Sequence, residues 1–464
     1  MNLGYYKGNQ LQAIADFLEI AVGYVWGVPL ALMSILAGVY LTIVMRGVQF
    51  RGFFHSWACI SGKYDDPKET GEVTHFQALS SALSATIGLG NIAGVAIAIT
   101  VGGPGALFWM WVVAFFGMAT KFTECSAAVM FRDKHADGSV SGGPMYYIRN
   151  GLGEAWKPLA GAFAILAGVS SFGIGNMFQA NQMADALYEN FSIPKAATAV
   201  VVVLLVGLVI IGGIKRIGKV ASKIVPIMVA FYVLGALYVI LSNYEKIPEC
   251  FALIFRDAFT GEALGGGMVG ALITGAKRAT FSNEAGLGSA PIAHAAARTN
   301  VPIREGVVAL LEPFLDTILV CTMTALVIII TGFWQNPAHL GGSPLTTAAF
   351  DSAIPGYGKY IVTAGIVLFA YSTMISWSYY GEKCFRYLFG EKAVMPYKII
   401  FLVLLFVGAI WKLAPVINLS DIMNGFMMLP NIVAIIALSS RMAKEANRYF
   451  ERLEAGEFEA KKNK

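Results

Sequence analysis

The stretch Ser84-Ala85-Thr86-Ile87-Gly88-Leu89-Gly90-Asn91-Ile92-Ala93-Gly94 holds small and hydroxylated residues in the middle of an apolar run. Glycine at alternate positions disfavours an unbroken helix there. A helix that unwinds between Thr86 and Asn91 frees the N–H groups of Leu89, Gly90 and Asn91 at the positive end of the next half-helix, which is a seat for a carboxylate. The same break leaves the carbonyls of Ser84, Ala85, Thr86 and Ile87 without partners and facing the other way, ready to coordinate a bare monovalent cation, and Asn91 adds a side-chain oxygen. Helix–helix packing accounts for these glycines equally well.

A second break is expected at Gly265-Gly266-Gly267, followed by Gly270, Ile273, Thr274 and Gly275. Further along, Ser372 and Thr373 place two neutral hydroxyls side by side, which suits sodium better than a proton, and Trp377 follows one helical turn later as a pocket wall. Polar side chains at membrane depth tend to line a path. Of Ser170, Ser171, Asn176, Gln179, Asn181 and Gln182, we single out Gln179 as the substrate contact, although an interhelical hydrogen bond accounts for it equally well.

These residues need a bilayer around them. The chain has 464 residues, 56% hydrophobic and only 14% charged, with a mean hydropathy of +0.63. A soluble protein of this length needs far more polar surface, so a soluble enzyme is excluded. Apolar runs of about 20 residues recur near 20–44, 76–101, 105–131, 159–187, 196–214, 220–241, 263–276, 306–332, 360–380, 399–411 and 415–439. The stretch up to Asp16 lacks the pattern of a signal peptide, so the first run is read as a span.

Charge placement supports that parse. Setting aside Lys121 near a helix end, the basic residues outside one alternating set of connections are Lys7, Lys195, Lys246, Arg256, Lys359 and Lys412. The other 27 basic residues, Lys277, Arg278, Arg298 and Arg304 among them, fall in the remaining set. Cytoplasmic loops retain Lys and Arg, so the N-terminus is expected outside and the C-terminus in the cytoplasm. The net charge of +5 then reports orientation and not nucleic-acid binding. Five scattered cysteines give no metal or disulfide spacing.

Three motifs carry a resemblance. TIGLGN at 86 to 91, GGPMYY at 142 to 147 and FSNEAGLGSAPIAHAAA at 281 to 297 resemble the alanine or glycine:cation symporters, the sodium:alanine symporters of the amino acid-polyamine-organocation superfamily. The resemblance implies an all-α polytopic protein of eleven transmembrane helices with the five-plus-five inverted-repeat fold and two discontinuous helices. Residues 1–75 would form an accessory helix and loop, 76–243 and 244–440 the two repeats, and 441–464 a cytoplasmic tail. It implies sodium-coupled symport of alanine or glycine by alternating access, in a prokaryotic plasma membrane, with no organic cofactor. The expected partners are the amino acid and the bilayer, and a monomer is the working assumption.

The more distant neurotransmitter:sodium symporters share a GLGN segment matching Gly88-Leu89-Gly90-Asn91. That likeness implies a carboxylate on the N–H groups of Leu89 and Gly90, and sodium held by Ser84, Ile87, Ser372 and Thr373. In those relatives a second, substrate-proximal sodium matches Asn91 and the Thr86 carbonyl. Ala85 stands where they carry Asn, and one sodium is expected here. Bulk at Phe172, Met268, Ile273 or Trp377 would keep the substrate small. The 281 to 297 segment, placed on the cytoplasmic side by its basic neighbours, is read as a helix-starting cap or inner gate in which Glu284 meets a basic residue.

An intramembrane hydrolase would need a nucleophile beside a base, and no such dyad is visible around His55, His75, His135, His294 or His339. A proton-coupled carrier of the same fold or a passive channel would also be built from apolar spans. Two broken helices in one chain favour alternating access over a pore.

Overall fold

The computed structural model describes residues 16–136, 138–260, 267–335, 341–411 and 414–458, and these are almost wholly helical. Eight helices among them are long and apolar enough to cross a membrane: Asp16–Val44, Ala106–Met130, Glu154–Phe191, Gly213–Ser242, Pro302–Thr331, Gly358–Phe389, Glu391–Ile410 and Ala414–Glu454. A ninth is the pair His75–Thr86 and Gly90–Gly102, bent by 53° at the break between them. The shorter apolar helix Lys195–Ile210 and the helix Gly267–Asn283 fall where the fifth and seventh expected spans lie.

The first broken helix starts and stops for local reasons. Thr74 and Gln77 form a reciprocal cap, with the Gln77 N–H donating to Thr74 Oγ1 at 3.2 Å and the Thr74 N–H to Gln77 Oε1 at 3.1 Å. The helix ends at Thr86 because Ile87 turns to an extended conformation (φ −73°, ψ 94°), and it resumes through a widened turn at Gly90–Gly94. Such π-type turns recur at functional sites. Two more interrupt long helices at Gly173–Met177 and Phe314–Cys321.

Gly270, Thr274 and Gly275 mark no break among the described residues. Gly265 and Gly266 lie outside the described residues, and the helix from Gly267 runs unbroken through Gly270, Ile273, Thr274 and Gly275 to Asn283. Small residues there serve close packing: a Cβ on Gly275 would lie 2.8 Å from the Cβ of Trp109. The chain unwinds instead at residues 284–289 and resumes as Ala290–His294. Glu284, Gly286 and Gly288 adopt positive φ of 55°, 88° and 84°, so Ser282-Asn283-Glu284 ends a helix and does not start one. A non-glycine residue held left-handed is strained, a condition typical of functional sites.

Apolar residues face out and ionisable ones face in. Leu204, Leu208, Ile227 and Leu234 are exposed, whereas Lys121, Glu124, Glu305, Glu312 and Asp316 are fully buried. That inversion is what lipid demands. At one end of the bundle Arg132 ties the loops together by donating to the carbonyls of Thr70, Ala295, Ala297 and Thr299 at 2.5–2.8 Å. A short antiparallel ribbon pairs Asp133–Lys134 with Val140–Ser141 beside it.

Candidate functional site

The first break packs against the Gly358–Phe389 helix through the residues expected to hold a cation. Ser84 Oγ donates to the Ser372 carbonyl at 2.7 Å, and Ser372 Oγ, 2.9 Å from the Phe369 carbonyl of its own helix, lies 3.2 Å from the Ser84 carbonyl. Thr373 Oγ1 lies 3.4 Å from the Ala85 carbonyl, and a Cβ on Gly88 would sit 3.0 Å from it. Ile87 and Ser84 are fully buried, and Thr373 is nearly so. The structure therefore gathers the hydroxyls of Ser84, Ser372 and Thr373 and the carbonyls at the end of the first half-helix into one buried cluster.

On the other side of the break, Leu89 and Gly90 begin a new helix, and first-turn N–H groups have no carbonyl one turn earlier. Leu89 and Gly94 line a cavity of about 190 Å³ together with Ile174, Phe178, Phe281, Lys277, Arg278 and Asp421. A Cβ on Gly90 would lie 3.3 Å from the Cα of Ser282, so the two broken helices meet there. Of the other expected contacts, Gln179 is buried and donates to the Ile174 carbonyl at 3.2 Å, with its Oε1 unpartnered. Trp377 packs under the widened turn against Gly175 and edge-on to Tyr380.

Several expected contacts lie elsewhere. Phe172 stacks among Phe385 and Tyr397, ring centroids 5.6 and 5.2 Å away, because its helix turns that face toward a neighbouring pair of helices. Phe178, one widened turn later, takes the cavity position. Thr274 and Gly275 pack against Gly102, Ala106 and Trp109. Lys277 and Arg278 are not in a loop; they line the cavity opposite Asp421. The 281 to 297 segment is likewise at the heart of the bundle.

Two asparagines, one at each break, converge on adjacent residues of the Pro302–Thr331 helix. Asn91 Nδ2 donates to Asp316 Oδ1 at 2.7 Å, while Asn91 Oδ1 accepts from the Gly88 N–H at 2.8 Å. Asn283 Nδ2 donates to Thr317 Oγ1 at 3.0 Å, and Asn283 Oδ1 accepts from the Ala285 N–H at 3.0 Å. Thr317 Oγ1 donates to Asp316 Oδ2 at 2.7 Å. Asn91 thus faces this network and not the cavity, and Thr86, at the helix end, bonds back to the carbonyls of its own turn.

A second buried charge cluster lies toward the Arg132 end. Lys121 Nζ lies 3.1 Å from Glu312 and 3.9 Å from Glu124, so it is a bundle residue and not a helix-end charge. His294 bonds Glu305 at 2.6 Å and Glu312 at 2.7 Å, and His75 bonds Glu305 from the other side. Glu284 bonds Ser289 in place of a basic residue. Asn431 Nδ2 joins Glu124 at 2.7 Å and the Gly286 carbonyl at 2.8 Å. His75 and His294 stand beside loops, as the sequence suggested, but each has a buried carboxylate partner.

The sequence profile of the sodium:alanine symporter family matches residues 11–463. The chain belongs to that family. It is 45% identical over 433 residues to the sodium/alanine symporter AgcS of Methanococcus maripaludis, covering 92% of this chain and 95% of that one. It is 44% identical over 453 residues to an uncharacterised transporter of Haemophilus influenzae, covering 96% and 98%. Identity to a probable sodium/glutamine symporter of Bacillus subtilis, GlnT, is 32% over 447 residues, covering 96% and 92%. Among solved structures, MhsT in complex with L-phenylalanine aligns over 82% of this chain and 99% of its own with a TM-score of 0.54 at 13% identity, a likeness of fold. This family member therefore has the five-plus-five inverted-repeat transporter fold and is a multi-pass membrane protein for cation-coupled amino-acid symport.

Asp316 and Thr317 went unrecognised in the sequence, and Ser282 and Asn283 were read there only as a helix-starting cap, although a signal existed for Asp316. An ionisable residue inside an apolar span is a functional candidate by default, and Lys121, Glu312 and Asp316 each met that description.

Proposed function

We infer that this symporter couples inward movement of alanine or glycine to sodium by alternating access, and that it is a carrier and not an enzyme. The observation that supports the reading is the contact between the first helix break and Ser372-Thr373. It sets a cluster of neutral oxygens on one side of residues 87–89 and helix-start N–H groups on the other. Carbonyls and hydroxyls there suit a sodium ion held by Ser84, Ile87, Ser372 and Thr373. The N–H groups of Leu89 and Gly90 suit the substrate carboxylate, with Thr86, Gln179 and Trp377 around it.

A zwitterion at membrane depth pays a desolvation penalty of a few kcal/mol, which the half-helix amides and a nearby cation offset. Sodium and amino acid then stabilise each other reciprocally. On the orientation derived from the basic residues, with Lys277 and Arg278 set aside because they line the cavity, the Arg132 end faces the cytoplasm. Residues 76–243 and 244–440 are the two repeats.

The test is uptake of radiolabelled alanine and glycine into proteoliposomes under a sodium, lithium or proton gradient imposed separately. Saturable uptake that requires the sodium gradient is expected. Uptake driven equally by a proton gradient without sodium overturns the coupling ion, and non-saturable flux overturns the carrier.

A further inference from the structure

The helix Asp16–Val44, which the sequence marks as accessory, reaches the cavity. Val22 and Trp26 line it together with Leu89 and Gly94. Tyr24 and Val28 on the same helix are exposed, whereas Trp26 is 1% exposed. The local sequence explains the difference. Pro29 has no N–H, and its ring crowds the carbonyl one turn earlier, at Val25. Regular helix therefore lapses at Trp26 and Gly27, where Gly27 is extended (φ −83°, ψ −152°), and resumes at Val28. Trp26 stands at that lapse and is turned into the bundle.

The indole is fixed by contacts with two other helices. Its Nε1 donates at 3.0 Å to the carbonyl of Asp421 on the Ala414–Glu454 helix. Its ring meets Phe281 edge-on, with centroids 5.5 Å apart, close to where the Gly267–Asn283 helix ends at the second break. Gly425 permits this approach, since a Cβ there would lie 2.5 Å from Val25 Cγ1 and 3.3 Å from Trp26 Nε1. Two turns further on, Ser34 Oγ lies 3.0 Å from Thr280 Oγ1 and holds the accessory helix to the same broken helix. Phe178 and Phe281, the other aromatic walls of the cavity, have no polar atom by which to be anchored. Trp26 has one, and a large ring held at both its polar end and its edge does not swing aside.

We propose that Trp26 is a specificity-determining residue, the fixed wall by which the accessory helix restricts the cavity to amino acids with short side chains. A pocket rejects added bulk only as firmly as its walls resist displacement, and at about 190 Å³ this cavity has little room to spare. The Leu89 and Gly90 N–H groups would receive the carboxylate of any amino acid, so they cannot discriminate by side-chain size. That task falls to a wall, and this one comes from a helix that precedes both repeats. Val22, one turn before Trp26, faces the same cavity and tunes the same limit.

The proposal rests on the reading of this cavity as the substrate seat, and the test separates the two. The full-length chain in proteoliposomes under a sodium gradient takes up radiolabelled alanine in competition with unlabelled glycine, alanine, leucine or phenylalanine. For Trp26→Ala the ratio of the leucine to the alanine inhibition constant is expected to fall about tenfold or more from wild type, a change of about 1.4 kcal/mol. Trp26→Phe, which restores ring area without the N–H, is expected to recover part of the wild-type ratio. Val22→Phe adds bulk to the same wall and is expected to raise the alanine constant about tenfold more than the glycine constant. If Trp26→Ala does not fold, Val22→Phe decides. A wild-type ratio in Trp26→Ala overturns the proposal, as does an equal shift for all four amino acids, the mark of a merely structural residue. Equal shifts for alanine and glycine in Val22→Phe also overturn it. With Gly90→Val inactive, any of these results sinks the wall alone; with Gly90→Val still active, the substrate seat falls too.

Discussion

Asn91 ties the first helix break to the middle of the Pro302–Thr331 helix, accepting from Gly88 N–H at 2.8 Å and donating to Asp316 at 2.7 Å. Asn91→Ala leaves a buried donor and a buried carboxylate oxygen without partners, each costing about 1–3 kcal/mol. A lower melting temperature in detergent and loss of sodium-driven alanine uptake are expected. An unchanged melt would show that the bridge holds nothing.

Gly90 lies where a side chain meets the backbone of the second broken helix, 3.3 Å from Ser282 Cα. Gly90→Val should reduce uptake at least tenfold, equivalent to about 1.4 kcal/mol, while the protein still elutes as a single species on size exclusion. Retained uptake would argue against a substrate seat at Leu89 and Gly90.

Ser372 Oγ faces the helix-end carbonyl of Ser84 at 3.2 Å, so deleting the hydroxyl removes an oxygen from the cluster. Ser372→Ala is expected to raise the sodium concentration for half-maximal uptake about tenfold, about 1.4 kcal/mol, and Thr373→Ser to leave it near wild type. The sodium dependence of initial rates checks both.

Arg132 satisfies four loop carbonyls with a planar fork, and burial among them pulls its basicity below the usual arginine value. Lysine has no fork. Arg132→Lys should strand at least two carbonyls and lower stability by about 2–4 kcal/mol, read as a fall in melting temperature.

His55, on the Val48–Ile60 helix outside the spans, donates to or accepts from Tyr449 Oη at 2.6 Å. Burial first, then Arg304 and Lys63, holds its pKa down at about 4 against an ordinary 6.5. The unfolded chain therefore binds more protons between those values, and stability falls as pH drops from 6.5 through 4. His55→Gln, which keeps a hydrogen-bonding group but does not titrate, should flatten that part of the melting-temperature profile; an unchanged slope would assign it to other groups.

The sequence alone determined the membrane setting, the family and the first helix break. Those follow from features that act within one helix: apolar runs of spanning length, and glycines at 88 and 90 that weaken the helix in which they sit. The Ser372-Thr373 pair was legible for the same reason, since two adjacent hydroxyls in an apolar run are conspicuous without knowing what they face. Tertiary structure decided the second break, because the glycines from 267 to 275 pack a continuous helix, while Glu284 adopts a left-handed conformation that only its surroundings enforce. It also turned Phe172 away from the cavity, brought Lys277 and Arg278 into it, and joined Asn91 to Asp316 across 225 residues of chain. Which helix faces meet depends on packing between segments distant in sequence, so a charge such as Asp316 is visible along the chain while the partners that receive it, Asn91 and Thr317, are settled only by the fold.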